Sequence, residues 1–242
     1  MQDWKQALRL AMFELHASKY VIFFLAVILC LALSSIVTGF SSYLEKNYAG
    51  IEFTFFIIFS AIILIWVKPK DFQLNQVNED VMASPSLIML HQLAVKKDVM
   101  IKSRFIVHFC YSFPFQLLFL IFFYALSQEL QHVLPVGSYL AFSIIWLSFS
   151  FYAGYFFMAT DAGTRNVNKI TAALFTFIFA IGVMFLSATI QTISGHGIVN
   201  WTIIFAQEWP LLSSIISVIL AVLGFSYWLH YMRKTMDLVD YL

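Results

Sequence analysis

The sequence predicts an all-α integral membrane protein with six transmembrane helices. Hydrophobic residues make up 61% of its 242 positions and the mean hydropathy is +0.84, far above the values of ordinary globular domains. Six apolar segments approach or reach the roughly 20 residues that a helix needs to cross a bilayer. These segments are continuous, whereas the strands of a membrane barrel alternate with a period of two. The predicted spans, within a single transmembrane domain over 1–242, are 20–38, 51–67, 105–126, 138–158, 170–192 and 211–231.

The basic residues predict the orientation of these spans, because Lys and Arg are retained in short cytoplasmic loops. Thirteen of the 14 fall on one side: Lys5, Arg9, Lys19, Lys68, Lys70, Lys96, Lys97, Lys102, Arg104, Arg165, Lys169, Arg233 and Lys234. Only Lys46 falls on the other side, together with Glu45, Glu52, Glu129 and Glu208. We therefore expect a multi-pass protein of the cell membrane with both termini in the cytoplasm.

The residues before the first span predict an amphipathic helix within 1–19. Trp4, Leu8, Ala11, Met12 and Leu15 recur at helical spacing. Such a helix lies in the cytoplasmic interface with its Trp as an anchor, and a frayed tail is the alternative. The first span lacks the cleavage site of a signal peptide, so we interpret it as a retained transmembrane helix.

The second loop, 68–104, is the largest polar segment and predicts a short helix. Ser84 is suited to an N-cap and Pro85 to the first helical turn, so a helix from about Pro85 to Leu93 is expected. A break follows before Lys96, and a second helical start continues into the third span. A loop that only fixes topology explains the lysines but not the apolar residues 87–90. Those residues favour a helix that couples another protein to the third span.

Small residues in the last span predict close helix packing. Ser213, Ser217 and Ala221 recur at four-residue steps, and such rows let membrane helices approach each other. In the connection before this span, Trp201 and Trp209 flank an apolar run. This pattern predicts a short helix along the outer interface.

The sequence lacks the signatures of catalysis and of ATP binding. No span contains a charged residue in its interior, which disfavours ion coupling. HExxH, GxSxG and P-loop motifs are all absent. Cys30 and Cys110 both lie inside predicted spans, which indicates neither a disulfide framework nor a metal site. We therefore expect a non-enzymatic chain without its own cofactor, whose energy for any uphill transport comes from another polypeptide.

The segment 93–105, LAVKKDVMIKSRF, resembles the coupling segment of permease subunits in ATP-binding-cassette (ABC) exporters of the second type. Those permeases have six spans, an amphipathic elbow helix before the first span and a coupling segment between spans two and three. The resemblance in layout covers the whole chain, and the local motif covers about 13 residues. Ala94 departs from it, because proline is common at this position in the family.

The resemblance implies a permease that works with a separate ATPase and with a second permease chain, identical or homologous. ATP and Mg are then bound by the ATPase, and the residues that would contact it are Met89, Leu90, Leu93, Lys96, Lys97 and Asp98. The small size and Phe-rich spans are similar to permeases that export antimicrobial or other amphipathic peptides. The alternatives are a permease for lipid or drug cargo, and an immunity or scaffold protein that works without ATP. None of these interpretations implies nucleic acid as a partner.

Overall fold

The computed structural model of the chain describes residues 2–46, 49–78, 81–93, 95–165 and 169–238. The helices are α1 (Gln2–Ala17), α2 (Lys19–Lys46), α3 (Ala49–Phe59), α4 (Ile63–Val67), α5 (Pro85–Gln92), α6 (Lys97–Leu126), α7 (Gln128–Val133), α8 (Val136–Phe149), α9 (Tyr155–Ala159), α10 (Lys169–Ser194), α11 (Ile198–Glu208) and α12 (Pro210–Leu238). A π-helical turn, Ser150–Gly154, joins α8 to α9. Three short strands are β1 (Asn75–Asn78), β2 (Val81–Ala83) and β3 (Thr164–Arg165).

Five helical segments of the described residues are long and apolar enough to cross a membrane. They are Lys19–Glu45, Lys97–Leu126, Val136–Ala162, Leu174–Ser194 and Pro210–Leu238. Each corresponds to one predicted span, although most extend beyond the predicted bounds because helices continue into the interface. The protein is a helical, multi-pass membrane protein.

The remaining predicted span, 51–67, is divided into α3 and α4. The break lies at Ser60–Ile62, where Ala61 adopts a φ of 55°. This left-handed conformation is uncommon for a residue with a Cβ and costs about 1–3 kcal/mol unless the surroundings enforce it. The apolar composition of the segment gives no sign of a break, because neither Gly nor Pro interrupts it.

The loop 68–104 contains two strands of a small three-stranded sheet that the sequence did not predict. β1 pairs with β2 in an antiparallel hairpin, and β2 pairs with β3 from the connection between α9 and α10. Gly163 precedes β3 with a φ of 97°, and a Cβ there would lie 2.9 Å from the Met82 carbonyl oxygen. The sheet therefore joins two loops that the sequence analysis treated separately.

Helices are present at the three positions where short helices were expected: α5 in this loop, α1 before the first span and α11 before the last. Their positions at the membrane interface and the coupling role of α5 stay predictions. Pro85 occupies the first turn of α5, as expected. The Ser84 hydroxyl, however, forms no capping bond to the helix and instead lies 2.8 Å from the Ser86 hydroxyl. Ser84 is therefore the N-cap residue, as predicted, but its hydroxyl does not cap the helix.

Aromatic rings fill the centre of the bundle where α3, α6 and α8 meet. The ring centroid of Phe55 lies 4.9 Å from that of Trp146 and 5.8 Å from those of Phe119 and Phe123. Most of these pairs have the tilted or edge-to-face geometry that aromatic pairs prefer. A second apolar cluster, which includes Leu87, joins α5 to α6, α9 and α12.

The helices are ordered so that the start of α6 and the end of α12 lie together. Lys97 of α6 pairs with Asp237 of α12, and α1 and α5 both pack on α6 in the same region. We call this end of the bundle, with α1, α5, the first turns of α6 and the last turns of α12, the basic end. α11 and the start of α3 lie at the opposite end.

Gly224 allows α12 to pack against the π-helical turn. A Cβ at this position would lie 2.3 Å from the Tyr152 Cβ and 2.6 Å from its Cα. Trp228, one turn later, donates a hydrogen bond of 2.6 Å to the Tyr152 carbonyl oxygen. Neither backbone can move freely, because both belong to packed helical segments.

We expect Gly224→Ala to lower the free energy of unfolding by about 1–3 kcal/mol, the usual cost of overpacking a core. Thermal unfolding of the protein in detergent micelles measures the change. Gly182→Ala in α10 is the matched control, since no heavy atom lies within 4 Å of the Cβ it would add. The control variant should unfold at the wild-type temperature or slightly above it. Equal unfolding temperatures for the two variants would contradict this packing.

Candidate functional site

The α5 helix presents two large apolar side chains to the surface. Met89 is 51% exposed and Leu93, the residue that ends the helix, is 66% exposed. Leu87 and Ile88 are buried, and Leu90 is half-buried against the cluster at the basic end. Of the apolar residues expected to form an exposed edge, Met89 and Leu93 are therefore the exposed ones. These residues define the α5 surface, Met89 and Leu93.

The three charged residues predicted to contact an ATPase each pair with another helix of the chain. The pairs are Lys96 with Asp3 at 3.4 Å, Lys97 with Asp237 at 2.5 Å and Asp98 with Arg233 at 2.9 Å. All are substantially exposed, and such pairs contribute about 0–1 kcal/mol to stability. They connect the start of α6 to α1 and α12. Their role toward an ATPase stays a prediction.

Arg104 lies at the centre of the basic end and is 1% exposed. Its Nη1 donates a hydrogen bond of 2.7 Å to Glu14 Oε2 on α1. Its Nη2 donates a hydrogen bond of 2.5 Å to the Ser86 hydroxyl in the first turn of α5. The ring of Phe72 lies 5.9 Å from the guanidinium carbon. One side chain of α6 thus holds both α1 and α5, and we call these residues the Arg104 cluster.

The Arg104 cluster buries a carboxylate and a guanidinium, which costs desolvation free energy. Burial raises the pKa of Glu14 above its ordinary value, and the positive charge of Arg104 opposes that increase. Removing two charges from water costs several kcal/mol per ion, and their attraction compensates only where the geometry is close and the hydrogen bonds are made. Loss of one partner would leave the other buried without its hydrogen-bonded counter-charge.

A second buried ion pair holds the end of α4. Lys68 Nζ lies 3.2 Å from Asp161 Oδ2, and both side chains are less than 10% exposed. The sequence analysis assigned Lys68 to the charged loop residues. Its burial shows that it also fixes α4 to the turn after α9.

An apolar cavity of about 580 Å³ lies beside the break between α3 and α4. Its walls come from α3 and α4, from α8 to α9 and from α10; they include Phe56, Ser60, Ile63, Phe149, Phe157 and Phe179. Irregular backbone at membrane depth is tolerated where it is buried in protein or lines a cavity. The cavity has the size of a small-molecule site, about 300–1,000 Å³.

The break packs against the π-helical turn and against α6. Gly154 approaches it so closely that a Cβ would lie 3.2 Å from the Ser60 carbonyl oxygen and 3.3 Å from that of Phe59. The buried Gln116 side chain of α6 donates a hydrogen bond of 3.1 Å to the Ile58 carbonyl oxygen. The same carbonyl oxygen accepts a hydrogen bond of 3.3 Å from the Ala61 amide, so Gln116 is a second donor to it at the irregular turn. The two irregular segments are therefore adjacent, and α6 contacts one of them directly.

At the opposite end, the Glu52 carboxylate caps the first turn of α11. It is 1% exposed and accepts hydrogen bonds from the Val199 amide at 2.9 Å and the Ile198 amide at 3.0 Å. The hydroxyls of Tyr43 and Ser187 also donate to it. An anionic side chain at a helix N-terminus satisfies free amides and favours the helix dipole. Glu52 therefore connects α3 to α2, α10 and α11.

Three small residues predicted to mediate helix packing lie on one side of α12. Ser213, Ser217 and Ala221 are each half-buried, and the Ser213 hydroxyl bonds the Pro210 carbonyl oxygen at 3.2 Å. Gly224 continues this row toward the π-helical turn. Whether the row also contacts a second chain stays a prediction.

The sequence analysis missed Glu14, Arg104 and Glu52 as functional groups, because it counted their charges by side of the membrane. A signal for Glu14 was present, since Ala7, Ala11 and Glu14 share the buried side of α1. The exposed side of that helix carries the larger apolar residues. Gln116 is a polar side chain in the middle of a predicted span, but its role depends on the break, which the sequence does not indicate.

No protein-family model, no curated protein and no solved structure matches this chain. The Arg104 cluster, the α5 surface and the cavity at the break are the features whose chemistry bears on function.

We expect Arg104→Met to lower the free energy of unfolding by about 3–5 kcal/mol, because it leaves the Glu14 carboxylate buried without its partner. In the double variant Arg104→Met with Glu14→Met, most of this loss should be recovered, since both charges are removed. Chemical unfolding in micelles measures both values. The pairing is contradicted if the double variant is as unstable as the sum of the two single variants.

Proposed function

We propose that the chain is the membrane-spanning permease subunit of an ABC exporter whose ATP is hydrolysed by a separate chain. The observation that carries the proposal is the α5 surface, two exposed apolar residues on a short helix. Arg104 holds this helix rigidly to α6. A helix that only fixes topology needs no such rigid connection. A helix on which an ATPase acts needs both a surface for contact and a connection to a transmembrane helix.

The Arg104 cluster supplies that connection in the proposed mechanism. ATP-driven closure of two ATPase subunits displaces α5, and the bond from Arg104 to Ser86 transmits the displacement to α6. Because Arg104 also binds Glu14, α1 moves with α6 along the interface. The pairs at Lys97 and Asp98 add the last turns of α12 to the moving group.

The cavity at the break is the proposed part of the cargo path in this chain. Gln116 lies 12 residues after Arg104 on α6, about 18 Å along the helix axis at 1.5 Å per residue. A shift of α6 therefore reaches the Ile58 carbonyl oxygen and the irregular turn beside it. The walls are almost entirely apolar, which suits an amphipathic or hydrophobic cargo such as a peptide.

In the proposed assembly α3 and α4 together form the second crossing, which brings the number of crossings to six. Both termini then lie in the cytoplasm together with the basic end. A second permease chain, identical or homologous, completes the path. Alternating access then consists of rearranging spans of the two chains as the ATPase opens and closes.

A co-purification experiment tests the contact with the ATPase. We expect the tagged wild-type protein, solubilised in mild detergent from its native membrane, to retain an ABC ATPase subunit. The variant Met89→Asp with Leu93→Asp should retain at least about tenfold less of it, as expected for residues at the centre of an interface. These two positions are sharper targets than Leu90 or Lys97, which contact other parts of the chain.

Leu126→Asp is the matched control, because Leu126 is 58% exposed at the other end of α6. It should retain the ATPase at the wild-type level. Absence of an ATPase from the wild-type sample, or equal retention by the α5 variant and the control, would contradict the proposed function and favour a protein that works without ATP.

A further inference from the structure

A groove between α6 and α12 opens at the basic end and has a volume of about 300 Å³. Its floor is a group of aromatic rings. The ring centroid of Phe105 lies 5.0 Å from that of Tyr155 and 5.3 Å from that of Phe225, and Phe151 stacks on Tyr155 at 5.6 Å. The surface inside the groove is almost entirely apolar.

The rim of the groove is charged at one end only. Lys102 lies there with its Nζ 5.0 Å from the Trp4 ring, and Arg233 lies across from it on α12. Asp98 also belongs to the rim and pairs with Arg233. Two cations and one carboxylate leave the rim with a net positive charge. Trp4 adds the aromatic residue that is typical of the headgroup region.

The groove has the depth of one membrane leaflet. Asp98, Lys102, Phe105 and Phe109 follow one face of α6 from the rim into the bundle. These 11 residue steps cover about 16 Å at 1.5 Å per residue, which is about half of the 30 Å hydrocarbon thickness. The charged rim therefore lies at headgroup level when the apolar floor lies among acyl chains.

We propose that this groove binds one anionic phospholipid from the leaflet at the basic end. The acyl chain lies on the aromatic floor, and the phosphate binds Lys102 and Arg233. A basic pocket between transmembrane helices is the usual arrangement for recognition of an anionic headgroup. Because the lipid contacts α6, α12 and Trp4 of α1 at once, its binding stabilises the packing of the basic end. This proposal does not depend on the proposed transport function.

The test compares lipid binding by purified protein variants in mixed micelles. The probes are phosphatidylglycerol and phosphatidylcholine with identical acyl chains, together with inorganic phosphate, and the readout is the concentration that half-maximally raises the unfolding temperature. We expect phosphatidylglycerol to act at lower concentration than phosphatidylcholine, and phosphate alone to have no effect. Lys102→Gln should weaken the effect of phosphatidylglycerol about five-fold, the factor expected for one basic residue near the membrane surface, and Lys102→Arg should retain it.

The matched control is Lys234→Gln, which removes the same charge from the residue next to Arg233 but outside the groove. It should behave as the wild type. Ile106→Trp, which fills the groove, should weaken the effect of both lipids. Equal responses to the two lipids, or equal losses in Lys102→Gln and Lys234→Gln, would overturn the proposal. A change of oligomeric state in Ile106→Trp without any change in lipid response would instead assign the groove to a second copy of the chain.

Discussion

The position of α5 and α1 depends on the buried guanidinium of Arg104. Arg104 lies on α6 and donates hydrogen bonds to Glu14 of α1 and to Ser86 of α5. Apolar packing alone allows helices at a membrane surface to slide past each other, because lipid chains compete equally for apolar side chains. A buried ion pair fixes one register at a cost in desolvation. The basic end therefore has a defined arrangement.

The interior of the bundle has two irregular segments, and they lie side by side. The break after α3 and the π-helical turn after α8 meet at Gly154. Each departs from regular α-helical bonding, and Gln116 donates a hydrogen bond to the Ile58 carbonyl oxygen at the first of them. π-Helical turns occur frequently at functional sites, and interrupted transmembrane helices form the substrate sites of many transporters. Because α6 carries both Arg104 and Gln116, the basic end and the cavity are connected by one continuous helix.

Much of the helical layout could be predicted from the sequence, because hydrophobic length and Pro or Ser signals act locally. The helices α1, α5 and α11 and five long apolar helices were found in this way. The break at Ala61 could not be predicted, since neither Gly nor Pro interrupts the apolar segment around it. The pairing of β3 with β2 could not be predicted because about 80 residues separate the two strands, and the local hairpin of β1 and β2 was missed.

The candidate site was harder to predict than the fold. Met89 and Leu93 followed from the pattern around 85–93, but burial of Leu87 and Ile88 depends on α6, α9 and α12. Charge counting grouped Arg104 with solvated lysines, although the structure buries it. A charged residue in a membrane protein can therefore set the orientation of the spans or form an internal ion pair. Only the position of its partner in the structure distinguishes these two roles.

Hydrogen exchange of the α5 amides tests most directly whether Arg104 holds α5 to the bundle. In the variant Arg104→Met, the amides of 87–92 should exchange at least about tenfold faster than in the wild type, equivalent to about 1.4 kcal/mol of local opening. The amides of α11, at the opposite end, should exchange at the wild-type rate. Unchanged exchange of α5, or an equal increase in α11, would contradict the account.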